Sequence, residues 1–207
     1  MRNARGVRNM CTLKNLKDVT PGQLRAKAGI DANAIPLDMD ELLRSWKIVA
    51  APTDFSDIEH TAKEQLVRYD GAILGTVGAR DGHVFISYSA KSSLNQIYYT
   101  IAHELGHCSK HTGLLEHGHT LTLLAGTFPP QMEKDADAYA LDLLLPKDGL
   151  KEKYLECLKM LNIDPALKLS HDIIRKIICY LSHISKVPGV HVESRLFDFR
   201  LIDCRCS

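Results

Sequence analysis

Two histidines flank a glutamate in the run His103-Glu104-Leu105-Gly106-His107. On a helix, residues four apart lie nearly over one another, about 6 Å along the axis. Two imidazoles at that spacing can converge on one tetrahedral ion. Glu104 then sits beside them, able to reach an ion-bound water without ligating the ion itself. A zinc ion in such a site activates water, and the carboxylate takes the proton as that water attacks a peptide carbonyl. A chain of this composition can show the pattern by accident. Here it falls within a strongly periodic segment that follows a hairpin signal, which favours a metal site.

A catalytic zinc needs a third protein ligand and an open fourth position. The segment Glu133-Lys134-Asp135-Ala136-Asp137 offers the acids. Glu133 and Asp137 are four apart and share one helix face. Glu133 is the expected ligand, and Asp137 the expected acceptor of a ligand imidazole N–H. Asp135 is the alternative third ligand, but it points about 200° around the helix from Glu133, so only one of the two can face the ion. A run of acids is by default a solvated face; Ala136, Ala140, Leu143 and Leu144 mark a buried side, and the alanines permit close approach of a second helix.

His111 continues the row of His103 and His107, yet a third ligand on one straight helix lies too far along for a tetrahedron. It is expected to support a ligand or cap the helix. His117 and His119 fall in a loop expected to face the cleft, where either could hydrogen-bond the oxyanion of a tetrahedral intermediate. Tyr98, Tyr99, Met39 and Trp46 read as packing residues.

The elements that must hold these groups form an α+β pattern. Thr20-Pro21-Gly22-Gln23 starts a helix with a capping box, ending near Gly29. A second helix is predicted over 38–46, and a short strand over 47–50 that Pro52 ends. Residues 71–77 and 83–88 read as strands around a turn at 78–82. Leu94, Ile97, Ile101, Leu105 and Cys108 form the stripe of a helix starting at Ser93 and reaching about Lys110. Residues 111–130, rich in Gly, Pro and His, read as a loop. A further helix opens at Pro129-Pro130 and stops at Pro146. Helices over 150–162 and 170–185 follow, then a tail from Pro188 with weak strand character. The expected architecture is a small, mainly antiparallel sheet packed on the metal-binding helix, with a helical C-terminal lobe. The expected division is an N-terminal extension over 1–34, a catalytic domain over 35–146, and the helical lobe and tail over 147–207.

The 207 residues suffice for one sizeable domain. A formal net charge of +1 argues against broad attraction to nucleic acid or anionic membrane. No apolar run reaches the roughly 18–20 residues that span a bilayer. Six scattered cysteines without a paired-ligand spacing read as reduced thiols, so the expected location is cytoplasmic.

These residues resemble the ImmA/IrrE-type metallopeptidases of bacteria and their mobile elements. The resemblance rests on Tyr99-Thr100-Ile101-Ala102 leading into the His103–His107 motif after a strand hairpin. It rests also on Glu133-x-x-Ala136-Asp137-x-Tyr139-Ala140 with the ending Leu143-Leu144-Leu145-Pro146, and on Ile35-Pro36-Leu37-Asp38. It covers about residues 35–146. Family members often carry Arg-Phe where Tyr98-Tyr99 stand and Met where Leu145 stands. The resemblance implies His103, His107 and Glu133 as metal ligands, Glu104 as general base, and a helix-turn-helix transcriptional repressor as the protein substrate, cleaved to release a mobile element or a stress regulon. Two histidines and a carboxylate also suit manganese or iron. A regulator that keeps the metal site but only binds a repressor is the competing class. A DNA-binding regulator using 165–185 is a third, weakened by its few basic residues.

Overall fold

The computed structural model describes residues 10–56, 74–80, 83–115 and 129–203. The chain is α+β, as the alternation of periods predicts. Its N-terminal part forms α1 (Leu13–Leu16), α2 (Pro21–Lys27) and α3 (Met39–Trp46). Thr20 and Gln23 close a full capping box on α2, and Asp38 caps α3 by accepting from the Glu41 N–H.

Three strands follow among the described residues: β1 (Val49–Thr53), β2 (Gly75–Arg80) and β3 (His83–Ser89). The sheet order is β1-β3-β2, with β2 antiparallel and β1 parallel to the central β3, so the sheet is mixed. Pro52 lies within β1 instead of ending it, opposite Tyr88. Since β1 is an edge strand, a residue lacking an N–H can be accommodated there. β2 runs on through Gly78 and Ala79, beyond the predicted strand end at Val77. The expected strand start at 71–73 and the turn residues Asp81 and Gly82 lie outside the described residues.

Beyond the sheet come α4 (Leu94–Lys110), α5 (Thr112–Leu115), α6 (Pro130–Leu144), α7 (Lys147–Met160), α8 (His171–Ser185) and α9 (Gly189–Asp198). Of the predicted stripe on α4, Ile101, Leu105 and Cys108 are buried, whereas Leu94 at its start is exposed. The expected strand-like tail after Pro188 is instead helix α9, which buries Val192 and Leu196, one helical turn apart. Pro188 occupies its N-cap, where the missing N–H is harmless, and tertiary burial overrides the strand preference of the valines.

One hydrophobic core joins Leu13, Leu16 and Leu24 from the first helices, Val84 and Ile86 from β3, Leu105 from α4, Leu143 from α6, and Ile177 and Leu196 from the last helices. The N-terminal segment is pinned to α4 and α6 by polar bonds too. Ser109 Oγ and Tyr139 Oη both donate to the Val19 carbonyl at 2.8 Å, and the Asp18 N–H donates to the Ser109 carbonyl at 3.0 Å.

Candidate metal centre

The centre is made by the α4–α6 pair, and small residues set how closely the two helices approach. A Cβ on Gly106 would lie 2.9 Å from Ala136 Cα and 3.0 Å from its carbonyl oxygen, so a larger residue at this crossing would push the two helices apart. Ala136 and Ala140 are fully buried beside it. Gly75 on β2 closes the other side of α4: a Cβ there would collide with the Thr100 side chain and come within 3.4 Å of Glu104 Oε1.

With the helices this close, Glu133 from α6 reaches the two motif histidines. His103 Nε2 and His107 Nε2 face each other at 3.0 Å. Glu133 Oε2 lies 3.2 Å from His103 Nε2, and Glu133 Oε1 3.8 Å from His107 Nε2. Ligand atoms about 2.0–2.1 Å from a tetrahedral ion stand about 3.3–3.4 Å apart, and the separations of 3.0, 3.2 and 3.8 Å, the last two to different oxygens of Glu133, fall on either side of that value. The donor set therefore fits a divalent cation.

Protonation favours the same conclusion. Asp137 can only accept, so His103 donates its Nδ1–H to Asp137 Oδ1 at 2.9 Å, which aims Nε2 at the cluster. Burial alone would lower the His103 pKa. Its bonds to Asp137 and Glu133 and the nearby charge of Glu104 outweigh that, and the pKa rises to about 9. His107 is desolvated and faces His103 and His111, which push its pKa down to about 3. The acids thus call for positive charge at a place where the imidazoles cannot both carry it.

Glu104 is buried, with its Oε1 turned to the Gly75 side of α4. Burial first, and then the charge of Glu133, push its carboxyl up to about 7, despite the opposing effect of His103. Its Oε2 has no hydrogen-bond partner among the described residues. A buried carboxyl oxygen with no bond and a pKa near neutrality can exchange a proton with a reacting group.

Asp135 stays off the triangle. It accepts from Gln131 at 2.9 Å and lies 3.9 Å from His111 Nε2. His111 sits at the C-cap of α4, with its Nδ1 3.0 Å from His107 Nδ1. His117 and His119 lie outside the described residues. Two contacts escape a sequence reading. Tyr99 donates its hydroxyl to Asp137 Oδ1 at 2.6 Å, and His191 from α9 stacks on the Tyr99 ring, centroids 3.8 Å apart and planes 11° from parallel. An aromatic on a helix and a lone histidine in a tail carry no local signal of such a role.

A helix presenting paired histidines and a glutamate, backed by a carboxylate from a second helix beside a small sheet, is the architecture of a metallopeptidase. The family model of the IrrE N-terminal-like domain, a peptidase family, matches residues 60–175, more than half of the chain. The chain belongs to this family, and its class is that of the ImmA/IrrE-type metallopeptidases. The match runs past Pro146 into α8. No curated protein matches the sequence. Among the described residues no helix is long and apolar enough to cross a membrane.

Proposed function

We propose that the chain is a zinc-dependent endopeptidase of limited specificity that cleaves a helix-turn-helix transcriptional repressor in the cytoplasm. The observation that carries this reading is the triangle of His103, His107 and Glu133 beside the unpartnered Oε2 of Glu104. His103, His107 and Glu133 would hold the ion, with Asp137 fixing the tautomer of His103. A zinc ion bound there supplies Lewis acidity, activating water and polarising the scissile carbonyl.

Everything else falls to the chain. Glu104 takes the proton from the attacking water and delivers it to the leaving amide nitrogen, a shuttle that suits a carboxyl raised to about 7 by burial. The low-dielectric surroundings of Glu104, walled by Gly75 and Thr100, keep that proton from bulk solvent. His111 steadies His107, and His117 or His119 would bond the oxyanion. In this scheme residues 35–146 carry the chemistry, and the helices beyond Pro146 present the substrate. Manganese or iron would satisfy the same donor set.

The test is to incubate the wild type and Glu104→Gln with helix-turn-helix repressors from the same genome. Cleavage at one site by the wild type alone is the expected result. A repressor that is bound but left whole by the wild type would point to the non-proteolytic regulator.

A further inference from the structure

We propose that Tyr99 is a positioning residue of the metal centre, its hydroxyl holding Asp137 onto His103, and that His191 of the C-terminal helix holds Tyr99 in turn. The inference rests on the metal-site reading above and extends it by two residues and one element.

The geometry is a chain of direct contacts. Asp137 Oδ1 accepts two bonds at once, from Tyr99 Oη at 2.6 Å and from His103 Nδ1 at 2.9 Å. The Asp137 side chain is 47% exposed, so the protein around it does not by itself fix its rotamer. The second donor does: with Tyr99 and His103 bracketing one oxygen, the carboxylate has a single position that satisfies both. Tyr99 is suited to this. It is buried, and burial together with the bond to Asp137 raises its pKa, which keeps the hydroxyl a neutral donor.

What fixes Tyr99 is α9. The near-parallel stack of His191 covers the Tyr99 ring. Val192 and Leu196 anchor the same helix in the core, so His191 is delivered by a rigid element. α9 lies beyond the region matched by the family model, yet it reaches His103 in three contacts, through Tyr99 and Asp137. The C-terminal helix therefore belongs to the support of the metal centre.

The experiment measures zinc affinity of the full chain by competition with a chromophoric chelator. The variants are Tyr99→Phe, Asp137→Ala, the double variant, His191→Phe and His191→Ala, with circular dichroism reporting the fold. Tyr99→Phe keeps the ring and the stack and should weaken zinc about tenfold, at the lower end of losses seen when support of a ligand is removed. In the Asp137→Ala background the same change should do nothing further, because the hydroxyl acts through that carboxylate. His191→Phe, which preserves stacking, should match the wild type, while His191→Ala weakens zinc by less than Tyr99→Phe. Unchanged affinity in Tyr99→Phe would overturn the inference. So would an equal loss in both backgrounds, which marks general loosening. A wild type that takes up no zinc would refute the metal centre itself, and this inference with it.

Discussion

Helix α6 meets buried charge at both of its ends, and the two ends are built on opposite principles. Near its start, Glu133 and Asp137 join His103, His107 and Glu104 in a cluster whose ring nitrogens face each other and whose Glu104 Oε2 has no partner among the described residues. At its far end, Arg25 from α2 is 2% exposed and fully engaged. Its Nε and Nη2 donate to the Leu143 carbonyl at 3.0 and 2.6 Å, and Nη1 and Nη2 reach the carbonyls of Asp31 and Ala34. Burial lowers the Arg25 pKa to about 10, with the charge of Asp31 pulling it back up. Leu143 lies in the last turn of α6, where carbonyls lack helical partners, so the guanidinium acts as a cap that joins α2, α6 and the 31–34 loop. A buried charge that is satisfied by the chain holds structure together. A cluster that keeps a buried carboxyl oxygen without a bond, as Glu104 Oε2 is among the described residues, is prepared for something from outside.

That contrast can be broken by mutation. The largest effect belongs to Glu104→Gln, which should lower kcat by about 10²–10⁴-fold while leaving metal uptake and melting temperature near wild type, since Gln keeps the shape and loses the proton shuttle. Peptide-bond cleavage measured beside metal content checks it, and a variant that loses metal as well would place Glu104 among the ligands. Next comes Arg25→Met at the other end. Freeing the Leu143, Asp31 and Ala34 carbonyls should cost about 2–4 kcal/mol in urea unfolding. The per-chain affinity for zinc in the remaining folded protein should hardly change.

Stripping the ion by dialysis against a chelator sharpens the comparison from the ligand side. A metal present at about a hundred times its Kd stabilises the folded state by about 2.7 kcal/mol. For a chain of this size its removal should lower the melting temperature by about 5–10 °C, in the wild type and in Arg25→Met alike. The smallest expected effect is Gly106→Ala. The added methyl meets Ala136 backbone at 2.9–3.0 Å, and overpacking less the helix propensity gained leaves about 1–2 kcal/mol of destabilisation. Because Gly106 sets the spacing of α4 and α6, its zinc affinity should fall more than its stability does.

The two ends also differ in how plainly the sequence declares them. The metal helix is legible because its message is local: helical spacing brings His103 and His107 together, and the same spacing aligns Glu133 with Asp137. Helix geometry says only that Glu133 and Asp135 cannot both face the ion, and the structure brings Glu133 to the histidines and Asp135 beside Gln131 and His111. Arg25 declares nothing, since its partners are backbone carbonyls, the most distant of them 118 residues away. Tyr99 and His191 fail for a similar reason: a ring stack between helices far apart in sequence has no periodic signature. Helix α9 was hidden by its valines, whose strand preference matters less than burying Val192 and Leu196 on one face.

The most direct test of the central claim is bound metal per chain, by elemental analysis of protein purified without chelators. Wild type, His107→Ala and Glu133→Ala would be compared, each shown by circular dichroism to be folded. About one zinc in the wild type, taken up on zinc addition if lost in purification, with neither variant retaining it, is the result that the triangle of His103, His107 and Glu133 predicts. A folded wild type that binds no divalent metal, or variants that keep a full complement of it, would contradict the account.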